Sequence, residues 1–375
     1  MKIVHIITSM KRGGAEKNLL KILKYSNKNK SYEKHIVISF SKKNDLEKEM
    51  IKYNAELIKI DFKYKFLFFL YFTKLYISLK KLKPDVVQCW MYHAIFLGGL
   101  SAKLTGVKNI IWNIRHSNYQ YNKTKITTII IIKLCAYLSN IIPNKIIYCS
   151  HNSQIFHSKI RYNKKKGFLI YNGYETDLFP INNRLKSKSH KRIIFGFIGR
   201  YNPQKNLNLY FKAISNFKKK YLGQYELYLF MYGKNIDYNN KILVKEIYNH
   251  NLSSIVKLKG FKVNITDAFK EIDFLGLSSS YGESFPNVLA EAMLSGIPCI
   301  STDVGEAKNI ISKYGKIVKI NDVNHFTKAI KDFYELFQNE NEYIQISNSC
   351  IAHIEDTYSI ANMYNNYKKL WVKNK

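Results

Sequence analysis

Short apolar runs alternate along the chain with longer stretches whose apolar residues recur at helical spacing, the pattern of parallel sheets covered on both faces. The runs predict strands near Lys2–Ile7, His35–Phe40, Glu56–Asp61, Asp85–Trp90, Asn109–Arg115, Lys145–Ser150 and Phe168–Asn172. A second series is predicted near Arg192–Gly199, Glu226–Tyr232, Val256–Gly260, Phe274–Ser278, Pro298–Thr302 and Lys316–Ile320. The polar, basic stretch Asn182–Lys191 reads as the linker between them. The expected division is 1–180, 181–358 and a last helical segment, 359–375, with Met363, Tyr367, Leu370 and Trp371 on one face. Ile126 to Ile142 reads as a buried helix, interrupted by Lys133. Phe66–Phe72 is too short to cross a bilayer. The lysine-edged segment 62–83 reads either as a core helix with a solvated edge or as an interfacial one.

At 375 residues the chain has room for two cores. Five scattered cysteines without a C-x-x-C pair point to neither a disulfide framework nor a zinc site, which fits a reduced cytosol. The net charge of +33 is uneven: residues 1–180 carry 32 Lys+Arg and 10 Asp+Glu, net +22, leaving +11 for the rest. Attraction to an anionic membrane face, nucleic-acid binding and a bias toward lysine-rich composition all compete to explain it. No nucleic-acid motif accompanies the charge, so nucleic acid is not expected as a partner.

The densest chemistry lies in Glu283-Ser-Phe-Pro-Asn-Val-Leu-Ala-Glu291-Ala-Met-Leu-Ser-Gly296. Pro286 suits the first position of a helix and Gly296 its stop. The amides of Asn287 and Val288 would then be first-turn donors, forming with the helix dipole an anion site suited to a diphosphate. Glu283 and Glu291 could accept hydrogen bonds from the sugar and ribose hydroxyls of a nucleotide diphosphate-sugar. Gly199-Arg200 and Lys205, after a predicted strand, supply fixed cations, and no Asp-x-Asp pair exists to hold a metal. Gly13-Gly14 would allow close backbone approach after the first strand, with Glu16 beside it as a structural carboxylate.

These motifs resemble those of retaining glycosyltransferases of family 4. The resemblance extends through Pro298–Glu306, Phe197–Asn206, Tyr171–Phe179 and Ile7–Glu16. It implies an α/β GT-B fold, with two Rossmann-like α/β/α domains facing a central cleft. The first domain would bind acceptor and the second the nucleotide-sugar. It implies Glu283, Arg200 and Lys205 as the catalytic set. Donor binding would fall to Gly14, Gly199, Arg200, Lys205, Glu283, Ser284, Phe285, Pro286, Asn287, Val288 and Glu291. In the family the retaining outcome is described as a front-face substitution in which the diphosphate helps deprotonate the acceptor.

The first half departs from the family pattern. Arg115 stands where many members carry histidine, with His116 beside it, and Trp90 replaces a histidine while His93 is retained. Trp90 could stack on a sugar ring. His93, Arg115 and His116 are the acceptor- or sugar-side candidates. The expected activity is transfer of a hexosyl or N-acetylhexosaminyl group from a nucleotide donor, a UDP-sugar, to a lipid-linked or cell-surface polysaccharide acceptor. No metal or cofactor is expected, and the expected place is cytoplasmic, peripheral on the inner face of the membrane. The alternatives are a UDP-sugar 2-epimerase-like enzyme and a non-catalytic, transferase-like partner.

Overall fold

The computed structural model describes residues 1–11, 13–62, 68–116, 124–179, 192–223 and 225–372. In chain order the elements are β1 (Lys2–Ile7), α1 (Gly14–Lys28), β2 (Lys34–Ser39), α2 (Glu47–Lys52), β3 (Glu56–Lys59), α3 (Phe68–Leu82), β4 (Val86–Trp90) and α4 (Tyr92–Leu104). Next come β5 (Asn109–Ile114), α5 (Ile126–Leu138), β6 (Lys145–Tyr148), α6 (His151–Lys159) and β7 (Gly167–Leu169). A second series follows: β8 (Arg192–Ile198), α7 (Leu207–Lys220), β9 (Glu226–Tyr232), α8 (Lys241–Asn249), β10 (Val256–Gly260), α9 (Thr266–Phe269) and β11 (Phe274–Leu277). It ends with α10 (Asn287–Leu294), β12 (Cys299–Thr302), α11 (Ala307–Ile311), β13 (Lys316–Val318), α12 (Val323–Gln338), α13 (Glu340–Tyr358) and α14 (Ile360–Trp371).

Two compact units result, one of Met1–Gly173 with Ile360 onward, the other of Tyr174–Ser359. The division falls at Tyr174, earlier than residue 181. The expected linker Asn182–Lys191 lies wholly outside the described residues.

In the first unit the described strands form a wholly parallel sheet ordered β3-β2-β1-β4-β5-β6-β7. Strand side chains alternate between faces. Val4 and Ile6 enter one core beneath α3, α4 and α5, while Ile3 and Ile7 enter the other beneath α1 and α14. In the second unit the order is β10-β9-β8-β11-β12-β13, again parallel. Strand order reverses between β1 and β4 in one sheet and between β8 and β11 in the other. Open α/β sheets present ligand-binding loops at such points, beyond the carboxyl ends of the strands.

Helix α14 is fastened by polar links as well as by its apolar face. Trp371 donates Nε1–H to Gln88 Oε1 at 2.7 Å, and Asn113 Nδ2 donates to Tyr367 Oη at 2.7 Å. A buried chain runs beneath it. Trp90 Nε1 lies 3.3 Å from His5 Nδ1, His5 Nε2 3.0 Å from His35 Nδ1, and His35 Nε2 3.1 Å from Ser26 Oγ. Tyr364 Oη is 3.2 Å from both Ser26 Oγ and Glu33 Oε2. An indole can only donate, so His5 must accept at Nδ1 and carry its proton on Nε2; His35 then carries its own on Nε2. Both imidazoles are held neutral by burial, with His35 lowered to about 4.

Two sequence expectations need correction. Trp90 is fully buried and bonded to His5, so it is a core residue and not a sugar platform. Helix α5 is not a buried helix: Ile129, Ile132, Cys135 and Ala136 face inward, while Ile126, Ile130, Leu134 and Tyr137 face solvent. Among the described residues no helix is long and apolar enough to cross a membrane.

Candidate functional site

The reversal point of the second sheet gathers the strongest motif residues. Strand β8 ends at Ile198 and is followed by Gly199, whose N–H donates to Tyr232 O at 2.9 Å. The chain then turns through Arg200 into a 3-10 turn, Pro203–Lys205, capped by Asn202, whose side chain accepts from Gln204 N at 2.9 Å. Gly199 is small for a packing reason: a Cβ there would lie 3.3 Å from Lys205 Cε. The lysine stem therefore passes over the glycine, and its ammonium reaches Glu283 Oε1 at 2.6 Å. Gln204 Nε2 and Ser279 Oγ donate to the same oxygen at 3.2 and 2.9 Å. Arg200 is exposed at the same strand end.

The loop from β11 to α10 is held from several sides. Ser278 Oγ donates to Lys205 O at 2.8 Å and Ser280 N to Gln204 O at 2.9 Å. Thr302 Oγ1 donates to Ser279 O at 2.5 Å, and Glu306 N to Ser284 O at 3.0 Å. Gly305, at φ +56°, lets the next turn press against this loop: a Cβ there would sit 2.6 Å from both Glu283 O and Ser284 O. Phe285 is buried against Tyr358, with ring centroids 5.5 Å apart, and Tyr174 Oη donates to Asn287 Oδ1 at 2.5 Å.

Helix α10 begins at Asn287, with Pro286 as its N-cap at φ −71° and ψ 86° and no side-chain cap. The proline thus stands one position earlier than expected, just outside the helix. Leu289 N bonds back to Pro286 O at 3.0 Å, closing the first turn with the amides of Asn287 and Val288 ahead of it. Glu291 is half-buried, a little over one turn into the helix. Gly296, at φ +75°, follows the helix end, where its N–H donates to Met293 O at 3.0 Å.

The first unit brings its candidates to the carboxyl ends of β1, β4 and β5, which are neighbours in its sheet. Gly13 is the N-cap of α1, folded over by Glu16; Gly14 begins the helix with nothing within 4 Å of a Cβ built on it. Burial raises the Glu16 carboxyl pKa. His93 lies exposed in the first turn of α4, after Met91 at φ +69°, a positive value rare for a non-glycine residue. Arg115 Nη2 donates to Asn172 Oδ1, which also accepts from Asn18 Nδ2 at 2.5 Å, while Arg115 Nη1 is buried without a hydrogen-bond partner. His116 stacks on Tyr92 with centroids 6.0 Å apart, and its carbonyl accepts Ser153 Oγ–H at 2.6 Å. A hollow of about 740 Å³ in this unit, lined by Met1, Pro84, Asp85 and Asn109, lies at the opposite, amino ends of the strands.

Motif reading overlooked Gln204, Ser279 and Gly305 as site residues, although Gln204 and Gly305 stood inside quoted motifs. Their signal was local: a polar residue beside Lys205, a serine run after a strand, and a glycine after the next strand. Asn172, which stands inside the Tyr171–Phe179 motif, was also missed, as were Asn18 and Asn113; an isolated asparagine such as Asn18 carries no signal that would have found it.

A model described as "Glycosyl transferases group 1" matches residues 181–348. The capsular polysaccharide biosynthesis glycosyltransferase CapH of Staphylococcus aureus is 29% identical over 317 residues, 83% of each chain. The UDP-Gal:alpha-D-GlcNAc-diphosphoundecaprenol alpha-1,3-galactosyltransferase of Escherichia coli is 25% identical over 268 residues, 68% of each. Among solved structures, HepE of Anabaena in complex with UDP superimposes with a TM-score of 0.82 at 19% identity, covering 98% of this chain and 99% of that one. With the motif residues gathered at the reversal points of two parallel sheets, these likenesses give the chain the GT-B fold of its solved neighbours and, over residues 181–348, the likeness to glycosyl transferases group 1.

Proposed function

We propose that the enzyme transfers a sugar, with retention of anomeric configuration, from a UDP-sugar to a lipid-linked or cell-surface polysaccharide acceptor, without a metal ion. The observation that carries this reading is the Lys205–Glu283 pair at 2.6 Å, at the reversal point whose loop leads into the uncapped start of α10. The amides of Asn287 and Val288 receive the diphosphate, and Arg200 and Lys205 neutralise the charge that grows on it as the bond to the sugar breaks. Glu283 accepts hydrogen bonds from the sugar hydroxyls and Glu291 from the ribose. Ser284, Phe285 and Pro286 shape the loop between them. The acceptor oxygen bonds to the anomeric carbon on the face the diphosphate leaves, and its proton passes to a diphosphate oxygen. His93, Arg115 and His116 serve the acceptor or sugar side.

The relatives support the donor and acceptor classes. The Escherichia coli relative is named for UDP-Gal and a diphosphoundecaprenol-linked acceptor, and HepE has been solved with UDP and with UDP-glucose. A lipid-borne acceptor would set the enzyme at work on the cytoplasmic face of the membrane, as a peripheral protein. Calorimetric titration of UDP and GDP in EDTA tests the donor half. Binding of UDP is expected, and its absence unless manganese or magnesium is added would overturn metal independence. The anomeric configuration of the product, read by NMR, tests retention.

A further inference from the structure

Helix α5 carries more apolar surface than its own core uses. Outside its buried side stand Ile126, Ile130, Leu134, Tyr137 and, just past the helix end, Ile141, at 74, 51, 45, 71 and 55% exposure. Their spacing of three and four residues places them in one stripe. Helices apolar on both sides are normally covered on both, and a contiguous exposed apolar stripe marks an interaction surface. Helix α4 packs between α3 and α5 and adds Leu104 at 59% exposure.

The charge around the stripe has one sign. From residue 86 to residue 174 the sequence holds twelve Lys+Arg and no Asp or Glu. Lys103, Lys125 and Lys133 are exposed on or beside α4 and α5. Lys166 donates to the carbonyls of Ser139 and Asn140 at 3.1 and 2.7 Å, at the end of α5. Burial and then the nearby charge of Lys103 lower the Lys166 pKa, which shows two positive groups set close together here. A second copy of the chain docking face to face would bring two such surfaces together, which like-charge repulsion opposes. An anionic bilayer complements both properties: apolar side chains enter the acyl boundary while lysine stems reach up to the headgroups.

We propose that the outer faces of α4 and α5 form a docking surface for an anionic lipid bilayer, with the Ile126–Ile141 stripe inserted and Lys103, Lys125 and Lys133 among the headgroups. This rests on the reading that the acceptor is lipid-borne, and it gives that reading a definite orientation for the first unit. The test is co-sedimentation of the full chain with vesicles of phosphatidylglycerol and phosphatidylcholine, and with phosphatidylcholine alone. Wild type is expected to sediment only with the anionic vesicles. Ile130→Glu combined with Leu134→Glu should lower its partitioning at least about tenfold. Lys125→Gln combined with Lys133→Gln should weaken binding and reduce its salt dependence. Ile242→Glu with Tyr248→Glu, at positions 66 and 72% exposed in the second unit, should change little.

Circular dichroism and UDP titration in vesicle-free buffer check that the variants stay folded, and they separate this proposal from the donor reading. Vesicle binding without UDP binding would overturn only the donor assignment. UDP binding by a wild type that ignores anionic vesicles would overturn the docking surface. So would unchanged sedimentation of Ile130→Glu/Leu134→Glu, or a dimer that this variant dissociates while wild type leaves vesicles untouched.

Discussion

Lys205 Nζ and Glu283 Oε1 stand 2.6 Å apart, with side chains 16 and 12% exposed, although 78 residues separate them in sequence. Each is therefore both a site group and the other's counter-ion. Removing one leaves an under-compensated charge in a mostly buried place, which costs more than the pair itself contributes. Lys205→Met and Glu283→Leu should each lose ~1–3 kcal/mol of stability, and the double variant less than their sum. Urea unfolding of the three variants measures the coupling. Transfer activity should fall by about 10² or more in each single variant and little further in the double. Additive stability losses with activity intact would show the pair to be an ordinary surface bridge.

Gly305 and Gly14 make opposite predictions. A Cβ on Gly305 meets Glu283 O and Ser284 O at 2.6 Å, from a backbone at φ +56°. Gly305→Ala should cost about 1–3 kcal/mol and shift the loop before α10, weakening UDP binding together with Tm. Gly14 has open space around its missing Cβ, in a helix that alanine favours. Gly14→Ala should keep or slightly raise Tm. If substrate approaches this backbone, KM rises while Tm does not fall, and steady-state kinetics beside a thermal melt reads both.

Acid should weaken the first unit through its buried histidines. His5, His35 and His157 are held neutral chiefly by burial, the last two at about 4. A depressed histidine pKa means the unfolded chain binds the proton more readily. Stability is thus complete above the ordinary value near 6.5 and is lost as pH falls from there toward about 4. For His35 and His157 the loss is on the order of 3 kcal/mol each. Urea midpoints at neutral and mildly acid pH should fall accordingly, and His157→Gln should flatten part of the slope. Equal midpoints across that window would refute the account.

Trp371 closes the apolar face of α14. It is 1% exposed and donates to Gln88, which is itself fully buried. Trp371→Ala removes the ring and leaves the Gln88 oxygen without its donor, so a loss of about 3–5 kcal/mol is expected. Trp371→Phe keeps most of the packing and isolates the hydrogen bond, with a smaller loss of ~1–3 kcal/mol. Denaturant titration of both variants separates the two contributions.

Much of the fold was legible because parallel strands are buried on both faces and read as near-continuous apolar runs, unbroken in Ile193–Ile198 and interrupted only by His5 in Ile3–Ile7. The loop into α10 was legible because Pro286 and Gly296 punctuate it. What the sequence could not show was pairing across distance. Nothing local joins Lys205 to Glu283, or Trp90 to His5, 85 residues away. The error on α5 has a related cause. Ile126 to Tyr137 is apolar on most sides, with Lys133 the one charge, which says that both sides want covering but not that the protein's own core supplies only one cover.

The membership of α14 in the first unit sets an order of assembly. The second unit is one continuous stretch, Tyr174–Ser359, complete before α14 exists. The first unit must wait: until Ile360–Trp371 leaves the ribosome, the sheet face carrying Val37, Trp90, Ile111 and Ile147 lacks the helix that roofs it. In vectorial synthesis the last segment of the first unit to emerge is thus also the last of the described chain, so that unit cannot close its sheet face cotranslationally ahead of the second, as amino-terminal domains usually do.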